Sequence, residues 1–297
     1  MRPCQPVSVA PPGDRMTRST VTAPVPGVVA GDLAGLNGRV AVVTGGGSIS
    51  NGNGVPGVGE AICRSLAGHG ARVVVVDREF ARAEETVATV IGDGGSAVAA
   101  VCDVGSDESC TRLVHWLHGQ GLQPQVLVNN VGIYGPRGPF RESGTQEFTR
   151  TFDVNVTSIL RLVQLLADDL ASSGSGSVVN ISSIAGLLGV GSDVAYSVSK
   201  GAVLSATRAL SVELAPSGVR MNAVVPGYLY TPMVIRNGMS AEERARRRGL
   251  APLGTEGTGW DVAAAVAFLA SDASRWITGS VLPVDGGILA LANRGQK

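Results

Sequence analysis

The feature that most constrains the fold is a regular alternation along the chain. After Arg39, short apolar runs rich in β-branched residues alternate with longer amphipathic stretches. The runs read RVAVVT, RVVVVD, SAVAAVCD, QVLVNN, GSVVNIS, VRMNAVVPG and SVLPVDGG. Strands that alternate with helices predict a parallel sheet, and strands apolar on both faces predict helices on both sides. We therefore predict a single α/β doubly wound Rossmann-type domain with about seven strands.

The amphipathic stretches give the predicted helices, because their apolar residues recur at the helical period of 3.6. These helices cover 57–67, 80–91, 106–118, 145–171, 194–215 and 260–269. Residues 1–36 contain several prolines and no such period, and they predict a disordered arm, with Met16 as an alternative start to Met1. Residues 37–297 form the predicted domain.

Composition excludes several classes of partner. Lys plus Arg and Asp plus Glu both count 24, which argues against a nucleic-acid or membrane-surface partner. No apolar run approaches the ~18 residues that span a bilayer. The four cysteines match neither a zinc site nor a CxxC redox pair, so we expect free thiols, no metal and a cytoplasmic location.

A glycine-rich stretch, TGGGSISNGNGVPGVGEAI at Thr44–Ile62, joins the first predicted strand to the first predicted helix. Such a turn presents backbone N–H groups and the positive end of the helix dipole to a pyrophosphate, and glycine is needed where a Cβ would block the approach. A flexible surface turn is the alternative. Gly52, Gly54 and Gly57 also spell GxGxxG, so the motif alone leaves its register open.

An acidic residue, Asp77, ends the second predicted strand, 18 residues after Gly59. A carboxylate at this point accepts hydrogen bonds from an adenosine ribose and repels a 2′-phosphate, which favours NAD over NADP. The glycine loop offers no Lys or Arg to neutralise that phosphate. Arg78 is the one feature that favours NADP.

The segment YSVSK places Tyr196 and Lys200 one helical turn apart, on the same face, where an ammonium favours the phenolate form of the tyrosine. Ser183 in NISSIAG stands thirteen residues before Tyr196, and Asn155 lies in FDVNV. With NNVG, CDV, VVPGYLYTPM and ITGSVLPVDGG, these motifs cover 39–287 and resemble the short-chain dehydrogenase/reductase family in order and spacing.

The resemblance implies reversible hydride transfer between a nicotinamide cofactor and a secondary alcohol or ketone. Tyr196 would move the proton, Ser183 would hold the substrate oxygen, Lys200 would bind the nicotinamide ribose and lower the pKa of the tyrosine, and Asn155 would connect the site to water. The cofactor contacts it implies are Thr44, Gly45, Gly47, Gly57, Val58, Gly59, Asp77, Arg78, Asp103, Val104, Asn130, Gly132, Tyr196, Lys200, Pro226, Gly227, Leu229 and Thr231. Asn155 and Asp103 keep a structural alternative, since both residue types also bond locally to the backbone.

The register of the glycine loop also follows from the resemblance. The family's loop reads TGxxxGxG, and its last glycine lies eleven residues before the glycine that corresponds to Gly70, which selects Gly59. Nine residues, 48–56, then stand where one is usual. Pro56 suits a helix entrance. We expect this insertion to add contacts over the adenosine or a neighbouring subunit, with a mobile loop as the alternative.

The resemblance also implies a substrate lid at 231–259, in which Ser240 caps a short helix that ends at Arg248. The helix carries Arg244, Arg246, Arg247 and Arg248, either to attract an anionic substrate or as a solvated face paired partly with Glu242 and Glu243. Tyr134, Arg137, Tyr228 and Tyr230 are candidate pocket residues. We expect a small-molecule alcohol or ketone substrate and a homodimer or homotetramer; the alternative is a catalytically idle NAD-binding protein of regulation or assembly.

Overall fold

The structure is a computed structural model that describes residues 35–48, 54–136, 138–189, 193–235 and 238–291. The predicted arm lies almost wholly outside these ranges, as do residues 49–53 of the glycine-loop insertion and Arg137. Seven parallel strands form one sheet in the order β3-β2-β1-β4-β5-β6-β7. The strands are β1 Val40–Thr44, β2 Arg72–Asp77, β3 Ser96–Val101, β4 Pro124–Asn129, β5 Ser177–Ile181, β6 Arg220–Pro226 and β7 Val281–Val284. The predicted doubly wound α/β fold is confirmed.

Helices cover both faces of the sheet. They are α1 Val58–Gly68, α2 Phe80–Gly92, α3 Asp107–Gly119, α4 Thr145–Phe152, α5 Ser158–Leu165, α6 Ala167–Ser172, α7 Val194–Leu214, α8 Pro232–Ile235, α9 Ala241–Gly249 and α10 Gly259–Ala270. Among the helices in the described ranges, none has the length and apolar character of a bilayer-spanning segment.

The predicted helix 145–171 is wrong as a single element. It is interrupted by a π-helical turn, Asp153–Thr157, between α4 and α5, and by Leu166 between α5 and α6. Leu166 is fully buried and has a φ of −105°, outside the helical range. After this break, α6 packs on β4.

Two hydrophobic layers hold the sheet between the helices, and alternation along the strands divides them. Val73 and Val75 of β2 pack in one layer with α1, α2 and α10. Val74 and Val76 of the same strand pack in the other layer with α3, α5 and α7. All four valines are fully buried, as the doubly apolar run predicts.

The strand order reverses between β1 and β4, because β2 lies on one side of β1 and β4 on the other. The chain leaves these two strands in opposite directions, which opens a crevice at their carboxyl ends. The glycine loop follows β1, and NNVG follows β4. The fold therefore brings both motifs to one crevice.

Candidate active site

One cavity of about 1090 Å³ lies at the carboxyl ends of the strands. Every predicted catalytic or cofactor-contact residue lines it except Thr44 and Asn155. It extends from the turn after β1, past the ends of β2 and β3, to the start of α7 and the lid helix α9. The sheet thus brings together residues that are up to two hundred positions apart in the chain.

Thr44 and Asn130 fasten the two strands beside the crevice. The Thr44 hydroxyl donates to the Val128 carbonyl (3.3 Å) and accepts from the Asn130 N–H (3.1 Å). The Asn130 side-chain amide donates to the carbonyls of Thr44 and Gly45, at 3.1 and 3.0 Å. Buried Thr44 therefore supports the crevice by joining the ends of β1 and β4.

The start of α1 faces the cavity without a side-chain cap. Gly57 is the N-cap residue and supplies no side-chain cap, and among the described residues the Glu60 carboxylate bonds back to the Gly57 backbone and to the Ser48 side chain. A Cβ on Gly57 would meet nothing within 4 Å, whereas a Cβ on Gly59 would lie 2.0 Å from the Gly45 carbonyl oxygen. The first-turn N–H groups and the helix dipole are thus available to an anion in the cavity. This geometry agrees with the register that places Gly57 and Gly59 at the helix entrance.

Asp77 is oriented by two backbone groups: its carboxylate accepts from the N–H groups of Gly47 (3.2 Å) and Glu79 (3.1 Å). Arg78 is not the only cation at this end, because Arg82 of α2 also lines the cavity, and this corrects the sequence prediction. Both guanidinium groups lie beside Glu79, at 3.7 Å from Arg78 and 3.0 Å from Arg82. Glu79 therefore competes with any phosphate in the cavity for the two guanidinium groups.

Asp103 lines the cavity and also has a local role. Its carboxylate accepts from the N–H of Gly105 at 3.0 Å. The N-cap of α3 is Ser106, whose hydroxyl accepts from Ser109 N–H. Asp103 therefore does not cap this helix.

Ser183, Tyr196 and Lys200 meet where β5 ends and α7 begins. The side chains of Ser183 and Tyr196 are hydrogen-bonded to each other. The Lys200 ammonium nitrogen lies 5.7 Å from the centroid of the tyrosine ring and donates to the Ile181 carbonyl at 2.9 Å. Tyr134 packs on Tyr196 with ring centroids 5.0 Å apart. The cluster places a phenolic hydroxyl, a second hydroxyl and a buried amine in one cavity.

Burial dominates the electrostatics of this cluster. It raises the pKa of Tyr196 to about 12, with Tyr134 and Asp193 adding to the rise and the Ser183 hydrogen bond opposing it. Burial also lowers the pKa of Lys200 to about 8. The tyrosine pKa therefore moves in the direction opposite to the predicted lowering, because desolvation disfavours the phenolate and Lys200 is itself a weakened cation.

Asn155 lies in the π-helical turn, fully buried and outside the cavity lining. Its carbonyl oxygen accepts from the Ile133 N–H (2.8 Å), and its amide donates to the Ile133 carbonyl and the Ser199 hydroxyl, both at 2.9 Å. It thus holds the segment after β4 against α7. A π-helical turn at such a place is a frequent mark of a functional site.

Asp193 is a cavity residue that sequence reasoning missed. It caps α7 by accepting from the Tyr196 N–H (3.0 Å), and the same oxygen accepts from the Gly135 N–H (3.3 Å). Its second oxygen is buried without a partner in the described residues. An Asp three residues before a helical Tyr-x-x-x-Lys is the cap signal that could have revealed it.

The segment after β6 closes the cavity beneath the lid. Pro226, Gly227, Leu229 and Thr231 line it, and a Cβ on Gly227 would lie 2.7 Å from the Asp285 Cα, so glycine is needed there. Ser240 caps α9 as predicted, with its hydroxyl accepting from Glu243 N–H at 3.1 Å. Tyr228 lines the cavity; Tyr230 does not and instead packs against Arg244 at 3.9 Å.

Comparisons with known proteins place this site in a family. Residues 54–289 match the family model described as enoyl-(acyl carrier protein) reductase. The chain is 37% identical to cis-4-hydroxycyclohexanecarboxylate dehydrogenase of Sinomonas cyclohexanicum over 254 residues, 85% of this chain and 97% of that protein. It is 34% identical to cyclopentanol dehydrogenase of Comamonas testosteroni over 256 residues, 86% and 98% of the two chains.

A solved structure is similar over the whole domain. It is described as an NAD(P)-dependent gluconate 5-dehydrogenase from Beutenbergia cavernae with NADP bound at low occupancy, and it is 35% identical with a TM-score of 0.78, covering 88% of this chain and 100% of that one. The match in structure agrees with the doubly wound fold described above. The chain belongs to the short-chain dehydrogenase/reductase family and is an NAD(P)-binding alcohol dehydrogenase of that family.

Proposed function

We propose that this protein catalyses reversible hydride transfer between NAD and an alicyclic secondary alcohol or its ketone. The main support is the hydrogen-bonded pair Ser183 and Tyr196 in the same cavity as the uncapped start of α1. The relatives act on cyclopentanol and on a hydroxycyclohexane ring, as their names state. The exposed, apolar wall around Leu188, Met233 and Met239 suits such a ring.

The residues present fit a nicotinamide dinucleotide. The open space at Gly57 and the free N–H groups of α1 would hold the pyrophosphate, and the carboxylate of Asp77 would accept the adenosine ribose hydroxyls. Lys200 would hold the nicotinamide ribose. When bound, the cofactor accepts or supplies the hydride.

The chain's own residues handle the substrate oxygen. In oxidation, the Tyr196 phenolate would take the proton of the substrate hydroxyl, with the bound cofactor as the hydride acceptor; in reduction, the phenol would return that proton. Ser183 positions the oxygen by a hydrogen bond. Asn155, through both backbone polar groups of Ile133, positions the segment after β4, and it would connect the site to water.

NAD is the preferred cofactor in this proposal. A 2′-phosphate would stand against the Asp77 carboxylate, and Glu79 already engages Arg78 and Arg82. A similar structure, of a gluconate dehydrogenase, contains NADP. We therefore infer that these side chains, and not the fold, decide between NAD and NADP.

We also expect a cytoplasmic location and a homodimer or homotetramer. The oligomer is supported by exposed apolar residues on α5 and α7, which are Leu160, Val198 and Val212.

Replacing Asp77 with Ala tests the cofactor preference. The wild type should bind NADH more tightly than NADPH, and Asp77→Ala should narrow the ratio by roughly tenfold, because it removes about 1–2 kcal/mol of hydrogen bonding and repulsion. Fluorescence titration with each nucleotide measures the ratio. Asp93→Ala, a change on the far end of α2, is the control. Equal wild-type affinities would contradict the proposal.

The pH dependence follows from the raised tyrosine pKa. With a pKa of about 12, Tyr196 is protonated at neutral pH, so kcat/KM for oxidation should rise by up to about tenfold per pH unit above pH 7. Reduction uses the phenol, which is already the dominant form at neutral pH, so kcat/KM for reduction should not rise with pH in this range. Profiles in both directions measure this.

Asp193→Asn is the matched variant for the pH profile. The amide oxygen can still accept from Tyr196 N–H, so the cap of α7 is kept, but the negative charge that raises the tyrosine pKa is gone. The rise of the oxidation profile should therefore begin at lower pH. An unchanged profile would show that Asp193 has no electrostatic effect on Tyr196.

A further inference from the structure

The arginines of the lid helix α9 differ in what holds them. Arg244 forms a forked ion pair with Glu256, at 2.8 Å from its Nε and 2.5 Å from its Nη2. Arg246 forms two hydrogen bonds of 2.8 Å with Glu243. Arg247 lines the cavity and forms no ion pair in the part of the chain that the structure describes, although its charge helps to lower the pKa of Glu243.

Arg247 is nevertheless held in place. Its Nη2 donates to the Leu229 carbonyl at 3.2 Å, and its guanidinium carbon lies 5.1 Å from the centroid of the Tyr228 ring. Both partners belong to the cavity wall after β6. A guanidinium has five N–H donors. One is used by the described residues, so the others remain for a ligand.

Three carboxylates that line the cavity have partners among the described residues, although the second oxygen of Asp193 has none. Glu243 lies one helical turn before Arg247, but Arg246 binds both of its oxygens. Asp193 caps α7 and accepts a second N–H. Asp153 is paired with Arg161 at 3.3 Å. Leu188, Met233 and Met239, which are apolar, line the same cavity as Arg247 and Tyr196.

We propose that Arg247 binds the carboxylate of the substrate, which is then an alicyclic hydroxy acid or the corresponding oxo acid. The inference rests on the proposed function, because the hydroxyl of the same molecule must reach Tyr196 and Ser183. A planar guanidinium with several free donors matches a carboxylate by forked hydrogen bonds. The apolar walls take the ring. Arg247 is thus a specificity-determining residue on the lid.

The experiment compares 4-hydroxycyclohexanecarboxylate with cyclohexanol in wild type and in Arg247→Met, whose unbranched side chain keeps an apolar stem on Tyr228. The variant should lose roughly 10–100-fold in kcat/KM for the hydroxy acid, the usual effect of a charged hydrogen bond, and about twofold or less for cyclohexanol. Arg248→Met, on the exposed neighbouring residue outside the cavity lining, should change neither value. Equal loss on both substrates would show a merely structural role and overturn the inference.

A binding measurement separates this inference from the proposed function. Cyclohexanecarboxylate lacks the reacting hydroxyl, and calorimetry with NADH present should show that it binds wild type and that Arg247→Met weakens it roughly 10–100-fold. No binding, or equal binding to both proteins, overturns the inference even if cyclohexanol is oxidised. Arg247-dependent binding without oxidation of either alcohol supports the carboxylate site and contradicts the proposed function.

Discussion

Replacing Tyr196 with Phe should lower kcat for alcohol oxidation by ~10²–10⁴-fold, the usual contribution of a positioned acid or base. The change removes the hydroxyl that bonds to Ser183 and keeps the ring that packs on Tyr134. NADH affinity and the free energy of unfolding should change little. Steady-state kinetics, fluorescence titration and urea denaturation measure the three quantities.

Tyr230→Phe is the matched control, because Tyr230 lies outside the cavity lining and packs on Arg244. It should keep wild-type activity. Full activity of Tyr196→Phe would refute the proposed role of this hydroxyl. If the wild type binds NADH but oxidises or reduces nothing in a broad panel of alcohols and ketones, the protein is instead an idle dinucleotide-binding protein of regulation or assembly.

The fold could be predicted because its determinants are local in the sequence. A run such as RVVVVD is apolar on both faces, and only a strand covered by helices on both sides buries it fully. The apolar pattern of each strand therefore predicts that helices cover it on both faces. The Tyr196 and Lys200 pair is local in the same sense, since a four-residue spacing on a helix places both side chains on one face.

The rest of the site depends on contacts between distant residues. The polar groups of Asn155 bond to Ile133 and Ser199, and no pattern within 145–171 signals the π-helical turn that presents them. The pKa of Tyr196 is raised because several elements bury its side chain. The spacing to Lys200 shows only a nearby cation, which predicts a lowered pKa. Arg247 differs from Arg246 only through the partners that the fold supplies.

Replacing Gly59 with Ala should destabilise the protein and weaken NADH binding together. The new Cβ would lie 2.0 Å from the Gly45 carbonyl oxygen and 2.7 Å from the Asn130 amide nitrogen. Alanine gains about 1 kcal/mol in helix propensity over glycine. Overlap with fixed backbone outweighs that gain, since overpacking costs about 1–3 kcal/mol or more and the Gly45 oxygen is also bonded to Asn130.

Gly57→Ala is the counterpart that separates binding from stability. The φ of −65° and ψ of 165° at Gly57 suit alanine, and the new methyl group meets no atom of the described residues within 4 Å. The free energy of unfolding should therefore stay near the wild-type value. The methyl group occupies space beside the first turn of α1, where we place the pyrophosphate, so NADH affinity should fall by roughly tenfold or more.

If the register of the loop is right, the two variants differ in stability and both lose NADH affinity. Urea denaturation should report a loss for Gly59→Ala alone, and NADH fluorescence titration should report a loss for both variants. If Gly57→Ala binds NADH as well as the wild type does, the pyrophosphate does not lie at this turn. The glycines of the 48–56 insertion would then be the ones to test, by replacing those nine residues with a single serine.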